Sequence, residues 1–238
     1  MPFAAFAARP FVTDDARIVD PGGYQVEAYV KDQRGQRQTE YWVLPGVNFG
    51  GALDRFEFTF GGNYTAVQEG GNSNLIVGQV KTLLKPLEPN GLGFAFTLGV
   101  SRVNPGADEV FLSSPFDIAT PDDTATSNRV QYNPFLNAIS SVSILDDRAV
   151  FHFNLGVTRD NVDKTTLGNW GAGAEIGVTE RVFGIAEVYG LTEGKPAYQF
   201  GVRYWAIPKY LQVDATGGLQ RASPANLRWI SIGVRILW

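Results

Sequence analysis

Apolar and polar residues alternate along most of the chain. Arg55-Phe56-Glu57-Phe58-Thr59-Phe60 is the plainest stretch, with Phe56, Phe58 and Phe60 on one face and Arg55, Glu57 and Thr59 on the other. Residues 150–157 repeat it, setting Phe151, Phe153, Leu155 and Val157 against His152, Asn154 and Gly156. Residues 229–238 repeat it again, with Ile230, Ile232, Val234, Ile236 and Trp238 opposing Ser231, Gly233 and Arg235. A period of two marks a strand with unlike faces; the period of 3.6 that marks a helix is hard to find. Glycine interrupts nearly every apolar stretch, and each interior glycine costs a helix about 1 kcal/mol relative to alanine. Turn signals at Gly, Pro, Asn and Asp divide the pattern into about twelve strands. They fall near residues 24–32, 39–49, 55–67, 73–85, 92–103, 132–145, 149–159, 169–179, 182–192, 197–207, 211–218 and 228–238.

Strand length narrows the architecture. Most of these strands run to about ten residues, whereas soluble strands average about five to six and a tilted membrane strand needs about nine to eleven. The connections then sort by length. Residues 50–54, 86–91, 146–148, 180–181 and 208–210 make tight turns, and residues 33–38, 68–72, 104–131, 160–168, 193–196 and 219–227 make mostly longer loops. Short turns on one rim and long loops on the other are what outer-membrane barrels show. The expected fold is therefore all-β: a monomeric, antiparallel up-and-down transmembrane β-barrel of the bacterial outer membrane. With an even strand number both termini fall on the periplasmic side. The last strand ends on Trp238, on its apolar face. That ending resembles the C-terminal signal by which bacterial outer-membrane proteins engage the barrel assembly machinery. Ala5-Phe6-Ala7 has the small-x-small form of a signal-peptidase site, so residues 1–23 are expected to be a signal remnant and periplasmic segment ahead of a barrel over 24–238.

A barrel turns its apolar face to lipid and its polar face to the lumen. Val26, Ala28, Phe94, Phe96, Leu98, Phe200, Val202 and Ile232 then belong to the lipid face, with Tyr24, Tyr64, Trp170, Tyr210 and Trp238 near the interfaces. The same parity places Glu27, Lys31, Glu40, Arg55, Glu57, Lys81, His152, Glu175, Glu187, Arg203, Asp214 and Arg235 in the lumen. Two readings of these charges stand: pairing across a narrow interior, or lining a water-filled path whose selectivity they set. Glycines on the polar face, among them Gly99, Gly156, Gly171, Gly173, Gly201 and Gly233, keep side chains out of the interior and favour a partly open lumen.

Composition removes alternatives. The 238 residues include no cysteine, which excludes a disulfide scaffold and a thiolate metal site. The net charge of -4 argues against a nucleic-acid binder, and 44% hydrophobic content argues against disorder. No run of about 18 apolar residues is present, as expected when strands do the crossing. No phosphate-binding loop, dinucleotide fingerprint or zinc-binding helix motif appears, and no cofactor or metal is expected. Residues 104–131 are the natural gate, carrying Asp108, Glu109, Asp117, Asp122 and Asp123 against Arg129. If they fold inward, these acids favour cations at the mouth; a calcium site within residues 117–123 would not follow EF-hand spacing. Arg34-Gly35-Gln36-Arg37 is a basic turn suited to lipopolysaccharide phosphates, or simply solvated. Catalysis has one anchor, His152, the single histidine. The outer-membrane phospholipases carry a serine two residues after their histidine, where this chain has Asn154, although Ser141 or Ser143 of the preceding strand lies within reach.

One segment carries a family resemblance. Arg9-Pro10-Phe11-Val12-Thr13-Asp14-Asp15-Ala16-Arg17, then Asp20-Pro21-Gly22-Gly23 and a first strand containing Glu27, resembles the start of outer-membrane channels of the MetA-pathway of phenol degradation family. The resemblance implies a twelve-stranded channel for aromatic or other hydrophobic small molecules. With the termini on the periplasmic side, residues 9–23 would lie there and could plug or rim the exit. The expectation is a passive channel for small molecules, with a lipid-modifying enzyme using His152, or a closed structural barrel, as alternatives.

Overall fold

The computed structural model describes residues 11–34, 37–68, 72–104, 130–162, 164–221 and 226–238. Twelve strands follow in chain order: β1 (Tyr24–Gln33), β2 (Gln38–Val47), β3 (Phe56–Val67), β4 (Ser73–Lys85), β5 (Leu92–Asn104), β6 (Gln131–Ile144), β7 (Ala149–Arg159), β8 (Thr166–Gly177), β9 (Val182–Leu191), β10 (Ala197–Ile207), β11 (Leu211–Gln220) and β12 (Leu227–Leu237). Each pairs antiparallel with its chain neighbours, and β1 pairs with β12 to close the barrel. Closure satisfies every backbone ladder and leaves no open edge, the condition for strands to cross lipid. Strands of 10 to 14 residues are long enough for a tilted crossing. The main shift from the sequence boundaries is β8, which starts at Thr166 rather than near 169.

The alternation becomes two faces. Phe60, Leu98, Leu155 and Ile232 point outward and are each more than 60% exposed, at 67%, 64%, 69% and 65%. Together with Phe94, Phe153, Phe200 and Val202 they make a continuous apolar belt. A soluble monomer rarely exposes a contiguous apolar patch beyond a few hundred Å², so this belt is a lipid-facing surface. Tyr24 and Trp238 stack at 6.1 Å on the short-turn rim, a typical place for interfacial aromatics.

The interior is packed. Trp42, Leu44, Leu75, Val77, Val103 and Phe135 form an inward-facing apolar cluster against β1–β6. Residues 11–19 lie inside the barrel, and residues 20–23 sit at its rim. The segment enters at the short-turn end through a turn in which Gly23 N–H donates to Asp20 O at 2.8 Å. Pro21 and Gly22 are its central residues, and Gly22 has φ +80, the conformation a type II turn demands at that position. Asn48, fully buried, ties the turn to the wall by donating to Val19 O at 2.9 Å and Asp54 O at 2.8 Å.

Candidate functional site

The site is the lumen with the segment Phe11–Asp20 threaded into it. Wall side chains satisfy the segment's backbone one group at a time. Glu187 on β9 accepts from Val12 N–H at 3.0 Å and Thr13 N–H at 2.9 Å. Asn154 on β7 accepts from Asp14 N–H at 2.6 Å and donates to Asp14 O at 2.8 Å. Ser141 on β6 accepts from Ala16 N–H at 2.9 Å, and Glu57 on β3 accepts from Val19 N–H at 2.7 Å. The segment therefore does not add a strand to the barrel. It is held by side-chain hooks, which a rearrangement can release without opening the wall.

Charge completes the attachment. Lys81 on β4 reaches Asp14 at 2.7 Å and Asp15 at 3.2 Å, and Arg17 lies 3.6 Å from Asp147 in the β6–β7 turn. A buried cation needs such partners, because an uncompensated charge in a low-dielectric interior is costly. The other inward charges pair within the wall. Lys31 meets Glu40 at 3.7 Å, Arg235 meets Glu27 at 3.6 Å, and Arg203 bonds Glu175. Arg235 also donates to Gln25 at 2.9 Å, and Gln199 donates to Glu187 at 2.8 Å.

Glu27, Lys31, Glu40, Glu57, Lys81, His152, Glu175, Glu187, Arg203, Asp214 and Arg235 are all buried on the inner face. Arg55 is not among them. It is exposed in the turn ahead of β3, where its guanidinium approaches Leu84 O at 3.5 Å. Its strand begins one residue later than the alternation suggested, so the parity argument does not apply to it. Asp108, Glu109, Asp117, Asp122 and Asp123, the candidate calcium site in residues 117–123, and Met1–Pro10 all lie outside the described residues.

Two glycines seat the segment. A Cβ at Gly171 would lie 2.6 Å from Thr13 Oγ1, and one at Gly173 would lie 3.2 Å from the Phe11 ring. Both belong to β8, so the space they leave is occupied by the segment rather than by water. Phe11 meets the His152 ring edge-on at 5.7 Å and lies under Arg203 at 5.4 Å. What stays open is a cavity of ≈ 120 Å³ between the segment and the β1–β6 wall. Its lining mixes charge (Asp14, Lys81, Arg235) with apolar rings (Trp42, Phe135). The sequence patterns had not singled out Asp14, Asp15, Trp42 or Phe135 as lumen groups.

Ser141 Oγ lies 2.9 Å from His152 Nδ1, so the preceding strand does bring a serine to the histidine. The same hydroxyl accepts from Ala16 N–H. His152 Nε2 has no hydrogen-bond partner among the described residues. No third group orients the imidazole as a general base there.

The chain belongs to the family described as Uncharacterised conserved protein UCP029691, whose sequence profile matches residues 1–238. This match does not confirm the resemblance of residues 9–23 to the MetA-pathway family. A comparison with curated proteins found no match. Among solved structures, the KdgM porin is similar at 11% identity and TM-score 0.55, covering 89% of this chain and 98% of KdgM. KdgM in complex with disordered oligogalacturonate gives 12% identity and TM-score 0.56, with the same coverage. The β-domain of the Bordetella autotransporter BrkA gives 14% identity and TM-score 0.50, covering 90% of this chain and 98% of that domain. At such identities the likeness concerns the fold. This is a porin-like barrel of the bacterial outer-membrane type, and its belt is the surface that contacts outer-membrane lipid.

Proposed function

We propose that the protein is a small-molecule channel of the outer membrane whose lumen is closed by its own N-terminal segment. The observation that carries this reading is the mode of attachment. Residues 11–19 are held by wall side chains, and an open cavity lies beside them, against the β1–β6 wall. Displacing the segment toward the periplasm joins that cavity to the short-turn end. The permeant would then pass the charges of Lys81, Glu57, Arg235 and Glu27 and the rings of Trp42 and Phe135. That lining suits a small molecule with both polar and apolar parts. The likeness of residues 9–23 to the MetA-pathway channels supports an aromatic or otherwise hydrophobic part in that molecule. If the acidic residues between β5 and β6 fold inward, they would favour cations at the mouth.

Recording in planar bilayers tests the reading. The full chain should give brief, small openings, and a variant lacking residues 9–20 should give a steady and larger conductance. Silence from the deletion variant, once its heat-dependent gel mobility shows a folded barrel, would favour the closed structural barrel. An enzymatic role for the Ser141–His152 pair predicts lipid hydrolysis that His152→Ala abolishes. In the channel reading that substitution leaves lipid intact and only loosens the seat of Phe11.

A further inference from the structure

The outer wall carries a notch unrelated to the lumen. Gly217 of β11 faces outward between its two register partners, Phe200 of β10 and Ile230 of β12. With no side chain at this position the belt dips, forming a groove of ≈ 320 Å³ that continues past Tyr198 toward the long-loop end. Ligand pockets span about 300–1,000 Å³, so the volume suits one slender ligand. Arg34 and Arg228 rim the groove at that end. They sit across from each other, Arg34 just past the end of β1 and Arg228 on β12, with Arg34 N–H donating to Arg228 O at 2.8 Å. Like charges directly across a strand pair are destabilising. Among the described residues neither guanidinium has an ion-pair partner. The neighbouring outward carboxylate, Asp32, accepts from Thr39 of β2 at 3.4 Å, on the side of β1 away from β12.

We infer that this groove binds one phosphorylated lipid of the outer leaflet, of the lipopolysaccharide type. An acyl chain lies over Gly217 between Phe200 and Ile230, and a headgroup phosphate bridges Arg34 and Arg228. The long-loop end is the extracellular end of an outer-membrane barrel, so the arginines stand at the depth of the outer-leaflet headgroups. Guanidinium groups match phosphate with forked, charge-assisted hydrogen bonds, and an anion between the two converts their repulsion into attraction. The apolar groove separates this ligand from free phosphate, which would gain nothing from it. A zwitterionic phospholipid, whose amine offsets its phosphate, would hold the pair less well.

Native mass spectrometry of the detergent-solubilised full chain tests this, with lipid A, phosphatidylethanolamine and inorganic phosphate as probes. The wild type should retain one lipid A and hold it more tightly than phosphatidylethanolamine. Surface arginines contribute about a fivefold gain each, so Arg34→Gln with Arg228→Gln should weaken lipid A binding about 25-fold, and Arg34→Gln alone about fivefold. Gly217→Leu should weaken it with both arginines intact. The backbone accepts that change, since a Cβ at 217 has Trp229 O at 3.8 Å as its nearest heavy atom. Equal affinity in wild type and all variants overturns the assignment. So does phosphatidylethanolamine bound as tightly as lipid A, which means an ordinary annular lipid, or phosphate bound as tightly, which means an ion site only. Heat-dependent gel mobility confirms that each variant compared is a folded barrel.

Discussion

On the β7–β9 side of the lumen the N-terminal segment meets a surface shaped to it. Gly171 and Gly173 admit Thr13 and Phe11, and Glu187 and Asn154 take the backbone N–H groups of Val12, Thr13 and Asp14. On the β3–β4 side it meets mostly charge, with Lys81 set between Asp14 and Asp15 and the cavity beside them. The first side fixes position through close contact and short neutral-donor bonds, which fade steeply with distance. The second fixes it through ion pairing, which tolerates displacement and leaves room beside it. The comparison teaches that closure and a latent path can share one lumen, because only one wall is packed tightly against the segment.

The deletion of residues 9–20 removes both attachments and should raise conductance most. Lys81→Met comes next, because it strips the charged side alone and leaves Asp14 and Asp15 without their cation. Breaking a buried pair costs about 3–5 kcal/mol; Asp14 is partly exposed, so the lower end applies. Frequent openings and faster proteolysis of the N-terminal segment should follow. Unchanged gating would mean that the β7–β9 side suffices. Gly171→Val tests that side, since its Cβ would lie 2.6 Å from Thr13 Oγ1. Overpacking of this kind costs about 1–3 kcal/mol, and the segment should shift toward the cavity, with a moderate rise in open probability. Ser141→Ala is the mildest. It removes the acceptor for Ala16 N–H and the partner of His152 Nδ1, each at a net cost of about 1 kcal/mol, and only the first touches the segment. A small increase in brief openings is expected, and an effect as large as that of Lys81→Met would assign Ser141 more than these two bonds.

The outer face was legible in the sequence because period-two alternation reports which side of a strand meets an apolar medium. Phe60, Leu98 and Phe200 needed no other information. Most inward charges followed from the same parity, and Arg55 escaped it because a strand boundary moved by one residue. The inserted segment was legible only as a piece of chain on the periplasmic side that could plug or rim the exit. Residues 11–23 have no periodicity, and their partners are remote in sequence: Asn154 is 140 positions from Asp14, and Glu187 is 174 from Thr13. The inward glycines did not announce their occupants: the segment at Gly171 and Gly173, and wall side chains at Gly99 (Phe135), Gly156 (Asn137 and Asn169) and Gly233 (Asp214). The inward apolar cluster had a signal that alternation obscures, since Tyr41-Trp42-Val43-Leu44 and Leu75-Ile76-Val77 are apolar on both faces. In a lipid-facing strand such a run means that the inner face is packed rather than wet.

The central claim is that the segment closes the lumen and must move for solute to pass. Thr13 Cβ lies 3.4 Å from the Cβ position of Gly171, close to the separation of about 3.5–4.5 Å that a disulfide bridges. The chain has no other cysteine to interfere. The most direct measurement is therefore the single-channel conductance of the Thr13→Cys/Gly171→Cys variant, oxidised and then reduced in the same bilayer. The account predicts a channel held shut while oxidised and openings that appear on reduction. Equal conductance in both states, with mass spectrometry showing the bond formed, would contradict it.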